Sequence, residues 1–60
     1  MSPLAEQIVR ELQASPRQFS EVVDAHLASS WREFLRAWGE IRAAEILRRD
    51  EDGRYFIGNE

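Results

Sequence analysis

Apolar positions along the chain fall into three runs with helical spacing and then two shorter runs of a different kind. Leu4, Ile8, Val9 and Leu12 recur every three or four residues behind Ser2-Pro3, a hydroxyl cap followed by proline at the first helical position. This predicts a first helix over about 3–13. Ser15-Pro16 interrupts it, and the next residues read in two ways. Ser15 and Gln18 have the spacing of a capping box. Alternatively, the layout of a fold with helices first and one terminal hairpin would make Arg17–Phe19 a short extended arm touching the hairpin, with the second helix beginning near Gln18–Ser20. The second reading is adopted, and Phe19, Val22, Val23, His26 and Leu27 then share one face of a helix over about 18–28. Ser30 with Glu33 forms the clearest capping box. Trp31, Phe34, Leu35, Trp38 and Ile41 follow at three- and four-residue steps, predicting a third helix over about 30–44 whose two indoles, Trp31 and Trp38, both face the core. Gly39 flanks this stripe, and close approach of another backbone is the expected reason for it.

Ile46–Arg49 and Arg54–Ile57 are β-like runs bracketing Asp50-Glu51-Asp52-Gly53. They predict a hairpin over about 46–57 whose four-residue loop closes with Gly53 at positive φ. The expected register sets 46 against 57, 47 against 56, 48 against 55 and 49 against 54. Leu47 and Phe56 then share one side and Ile46 and Ile57 the other. Arg49 faces Arg54, an unfavourable pair unless the acidic tip or an anion neutralises it.

The run Phe19-Ser-Glu-Val-Val-Asp-Ala-His-Leu-Ala-Ser-Ser-Trp-Arg-Glu-Phe-Leu-Arg-Ala-Trp38 resembles the paired helices of winged helix-turn-helix proteins. The run Ile41-Arg-Ala-Ala-Glu-Ile-Leu-Arg-Arg-Asp-Glu-Asp-Gly-Arg-Tyr55 resembles the end of their recognition helix and the wing. The likeness spans nearly the whole chain and rests on apolar spacing and a turn. It implies a mainly α fold with a terminal β-hairpin, a three-helix winged helix-turn-helix forming a single domain over 1–60. In that superfamily the second helix of the pair enters the major groove and the hairpin contacts the backbone or minor groove. Two turns depart from the pattern: Leu27-Ala28-Ser29-Ser30 lacks the usual glycine, and Glu45 stands where the helix-to-strand turn favours one.

Sixty residues allow one small core, and the absence of cysteine leaves packing or a partner chain to stabilise it. With 43% apolar residues the chain is not a disordered tail. All eight basic residues are arginine, and the net charge is −3. Residues 1–29 carry two Arg against four acids, and residues 30–60 six against seven, so any basic face must be local. No apolar run approaches membrane-spanning length and no secretory signal is visible, so no membrane partner and a cytoplasmic location are expected.

Arg32 and Arg36 lie one turn apart on the outer side of the third helix, with Ser29 and Ser30 at its N-terminus. Arginine forks onto guanine or phosphate, and a helix N-terminus attracts phosphate. Against this, Glu33 and Glu40 stand three and four residues from Arg36, where they can neutralise it. Arg48, Arg49 and Arg54 flank the hairpin tip and could straddle a phosphate backbone, with Asp50, Glu51 and Asp52 between them opposing it. Arg48 also occupies a ligand position that a calcium loop around Asp50, Asp52 and Gly53 would need. His26 has no second histidine or cysteine with which to build a transition-metal site, and with Ser29 or Ser30 it lacks an orienting third group. No catalytic residue, metal site or cofactor is therefore expected, and the protein is not read as an enzyme.

Two functions remain. One is a small transcription-regulatory protein that binds duplex DNA through Ser29, Ser30, Arg32, Arg36, Arg48, Arg49 and Arg54, as a homodimer because one module contacts little DNA. The other is a protein–protein interaction module on the same scaffold, without nucleic-acid binding.

Overall fold

Residues 1–58 are described by a computed structural model. Helix α1 spans Pro3–Ala14, β1 Arg17–Gln18, α2 Phe19–Ala25, α3 Trp31–Ala43, β2 Leu47–Arg49 and β3 Arg54–Ile57. The strands form one antiparallel sheet in the order β1-β3-β2, so the hairpin's second strand is central and the short arm closes its free side. The described chain is thus mainly helical, with three helices and a small three-stranded sheet.

Each helix starts where local chemistry provides a cap. The Ser2 hydroxyl accepts the Ala5 amide at 3.2 Å, ahead of Pro3. Ser15 is extended, as a residue before proline prefers, and so ends α1 instead of opening α2. The arm follows, and the Glu21 carboxylate accepts the Gln18 amide at 2.8 Å as α2 begins. For α3, the Ser30 hydroxyl accepts the Glu33 amide and donates to the Glu33 carboxylate, both at 3.1 Å.

The core contains Ala5, Ile8 and Leu12 of α1, Val22 of α2, and Phe34, Ala37, Trp38 and Ile41 of α3. An aromatic chain ties it to the sheet. The Phe19 ring meets Trp38 edge-on at 5.0 Å, and Trp38 meets Tyr55 at 5.2 Å with the planes at 90°. His26 is the one buried polar residue among those described, and its Nε2 lies 2.9 Å from Glu11 Oε1, joining the end of α2 to α1.

Four expectations require correction. Helix α2 ends at Ala25 instead of near 28: the chain leaves the helix at His26, whose ring turns to Glu11. Residues 27–30 are therefore a turn, and Leu27 is exposed. Trp31 is 56% exposed, because the first residue of α3 projects beyond the shortened α2; its ring lies flat on Phe34 at 5.6 Å instead of entering the core. Gly39 has no backbone against it, and a Cβ built there meets nothing within 4 Å.

The hairpin register is the fourth. Leu47 pairs with Ile57, Arg48 with Phe56 and Arg49 with Tyr55, one residue away from the expected alignment. The loop is three residues long, not four. Asp50 and Arg54 are hydrogen-bonded across its base at 2.9 Å, the Gly53 amide donates to the Asp50 carbonyl at 3.1 Å, and Gly53 has φ +81°. The Asp50 carboxylate accepts the Asp52 and Arg54 amides at 2.9 Å each and so holds this turn closed. Leu47, Tyr55 and Ile57 consequently face the helices, Phe56 turns to the opposite face with Arg48, and the Arg49–Arg54 confrontation does not arise.

Two residues carry backbone cost without compensation. Gly39 sits in an exposed helix interior, and Glu45 holds φ +60° in the turn after α3. Gly39→Ala is expected to raise unfolding free energy by about 1 kcal/mol. Glu45→Gly is expected to raise it by a similar amount, about 1 kcal/mol, by relieving the left-handed conformation. Urea denaturation of the two variants checks both, and a loss of stability in Gly39→Ala would mean that something covers that surface.

Candidate functional site

Side chains divide α3 lengthwise. Residues 34, 37, 38 and 41 face the core. Arg32 and Arg36 stand exposed on the opposite side, one turn apart, with Gly39 and Ala43 continuing their row. Glu33 and Glu40 fall on the flank nearest the start of α1. The other flank carries Trp31, Leu35, Trp38 and Arg42, spaced 4, 3 and 4, and leads toward the sheet.

Both acidic residues of α3 are engaged on their own flank. Glu33 holds Ser30, and Glu40 accepts the Ser2 amide at 2.9 Å. Hydrogen bonding from Ser2, backbone first and then side chain, holds the Glu40 carboxyl below the usual carboxylate range, and the charge of Arg36 adds to this. Neither carboxylate lies within ion-pair distance of Arg36, so the expected direct neutralisation is not formed among the described residues.

The two serines expected to offer phosphate donors are occupied locally. The Ser29 amide donates to the His26 carbonyl at 3.1 Å, and the Ser30 hydroxyl is spent on Glu33. The hairpin arginines separate. Arg49 shares the helix-facing side of the sheet with Tyr55, while Arg48 and Arg54 project to the other side. Arg48 is half-buried, its Nη1 donating to the carbonyls of Glu45 and Leu47 at 3.2 Å each. Arg54 pairs with Asp52 at 3.3 Å on an exposed edge, an interaction worth at most about 1 kcal/mol. The seven residues therefore do not meet at one point: Arg32 and Arg36 lie on the helix, Arg49 beside it on the sheet, and Arg48 and Arg54 behind.

Two arginines missed by the sequence reading lie nearer the junction. Arg17, on the arm, stands opposite Tyr55 on β3, which has Arg49 on its other side, so one aromatic is flanked by two guanidinium-bearing residues across three strands. Arg42 stands at the end of the row 31, 35, 38 and 42, and that spacing was the available signal for it. Between α3 and the hairpin lies an open cavity of ≈ 330 Å³, lined by Trp38, Arg42, Leu47, Arg48, Arg49 and Tyr55. Among the described residues, no carboxylate lines it.

Among the described residues, no group of three or more His, Cys, Asp or Glu is placed to hold a metal ion, and no helix is long and apolar enough to cross a membrane. Comparison of the chain with protein-family models, curated proteins and solved structures finds no match.

The Ser2–Glu40 contact gives a pH prediction. A carboxyl whose folded-state pKa is depressed contributes stability above its unfolded value, and that contribution is lost as pH falls through the folded value. The stability difference between the native chain and Glu40→Gln is therefore expected to be full at neutral pH and to shrink below the ordinary carboxylate range. Urea midpoints measured from pH 7 to pH 3 test this, and a difference that does not change with pH would remove the assigned role of Glu40.

Proposed function

We propose that this chain is a winged-helix domain that binds duplex DNA, with α2 and α3 as the helix-turn-helix pair and β2–β3 as the wing. One observation carries the reading. Arg32, Arg36, Arg42, Arg48 and Arg49, on α3 and the adjoining hairpin, have no carboxylate within ion-pair distance among the described residues, although the whole chain carries a net charge of −3. The acids of α3 are held along one flank, so the net charge misrepresents its outer surface. The order of elements supports the same reading: the β1-β3-β2 sheet packs mainly against α1, meets α3 through Trp38 and Tyr55, and leaves the outer row of that helix open. A helix of 13 residues is ~20 Å long, a length that enters a major groove. Arg32 and Arg36 face the bases or their phosphates in this account, Arg42 and Arg49 the adjoining backbone, and Arg48 and Arg54 the far side of the wing.

A specific feature favours a second reading as a protein-interaction module. Leu27, Trp31 and Leu35 are all exposed, at 73%, 56% and 44%, where α2 gives way to α3. An exposed tryptophan with two leucines suits a protein partner or a second copy of the chain, whether or not DNA is bound.

Titration of duplex DNA at low salt, followed by amide shifts and repeated across a salt series, separates the two. DNA binding predicts shifts at Arg32, Arg36, Arg42 and Arg49 and a linear fall of log affinity with log salt; Arg36→Ala is expected to weaken binding and reduce that slope by about one if it meets a phosphate. No shift at these residues would end the DNA reading. Loss of self-association in Trp31→Ala, with no effect of DNA, would support the interaction module.

A further inference from the structure

We propose that the cleft between the C-terminal half of α3 and the hairpin binds a small aromatic anion: one planar ring carrying a carboxylate or phosphate. The walls and rim of the cleft differ in chemistry. Trp38 and Tyr55 meet at right angles and, with Leu47, form an apolar corner. A third ring can lie along the part-exposed sides of Tyr55 and Leu47 and meet the small exposed part of Trp38 edge-on.

The rim is basic. Arg42 approaches from the last turn of α3 and Arg49 from the end of β2. Neither has a hydrogen-bond acceptor or a carboxylate partner among the described residues, so both guanidinium forks are free to meet a carboxylate or phosphate. Arg48 also lines the cleft, but its guanidinium is turned to two backbone carbonyls and does not compete with the other two arginines for the ligand.

Size limits the ligand. At ≈ 330 Å³ the cavity lies at the small end of the roughly 300–1,000 Å³ typical of ligand pockets, which suits a single ring better than a fused system. An inorganic anion alone would satisfy the arginines and leave the apolar corner wet. A neutral ring would leave the arginines unmatched. Only a ligand with both features uses both parts of the site.

The inference does not rest on DNA binding, although Arg42 and Arg49 serve in both. The test contains no nucleic acid. Benzoate, phenyl phosphate, inorganic phosphate and benzyl alcohol are each titrated into the full chain while the Trp38 indole N–H and Tyr55 amide are followed by NMR. Benzoate, phenyl phosphate or both should give saturable shifts there, and the preference between them identifies the anionic group. Inorganic phosphate and benzyl alcohol should bind at least about tenfold more weakly, and Arg42→Gln and Arg49→Gln should each weaken the aryl anion by about tenfold, the loss expected for one charge-assisted hydrogen bond. Arg10→Gln, on α1, should leave the affinity unchanged. The proposal is overturned if neither aryl anion gives saturable shifts, if inorganic phosphate binds as well as they do, or if both cleft variants bind like the native chain.

Discussion

The position of Trp38 is the constraint from which the rest of the fold follows. Its indole is only 8% exposed and contacts Phe19, at the start of α2, and Tyr55, in the central strand. One side chain thus joins the helical core to the sheet. Burial of a large aromatic in so small a chain is a major share of the apolar area removed from water. Once Trp38 points inward, the helical period places Arg32 and Arg36 on the outside, and Arg42 at the edge facing the hairpin.

Tyr55 carries this constraint into the sheet. β3 pairs with the arm on one side and with β2 on the other, so the residue that meets Trp38 also sets Arg17 and Arg49 beside it. Those arginines are placed by strand register, not by local preference. A slip of one residue would pair Leu47 with Phe56, so that Leu47 and Ile57 could no longer both face the core. The Asp50 side chain and the positive φ of Gly53 favour the register that keeps Tyr55 against the indole.

Much of the architecture was legible because its signals are local. Ser2-Pro3 and Ser30 with Glu33 mark two helix starts, and Ser15-Pro16 marks an extended break. Ser15 before Pro16 marks the break because a residue before proline avoids the helical region, whereas the arm over 17–18 was expected from the layout of the fold and not from its own residues. The register could not, because three- and four-residue loops ending at Gly53 both suit the same residues, and the Asp50 hydrogen bonds that select one are invisible in a hydrophobic pattern. Trp31 misled for another reason. Periodicity says which side of a helix a residue occupies, but not whether a neighbouring element extends far enough to cover it. The electrostatic picture was obscured in the same way: Glu33 and Glu40 are close to Arg36 in sequence, yet they turn toward Ser30 and Ser2. Arg17 and Arg42 gained a shared setting only when the arm, the helix end and the hairpin came together.

The orientation of α3 is tested most directly by the different environments of its two indoles. Trp31→Phe leaves Trp38 as the only tryptophan, and fluorescence quenching by acrylamide then reports on it alone. The account predicts blue-shifted emission that acrylamide barely quenches, with most of the quenchable signal of the native chain lost along with Trp31. Red-shifted, freely quenched emission from Trp38 in a folded Trp31→Phe chain would contradict it, because the arginine row would then no longer be opposite the core.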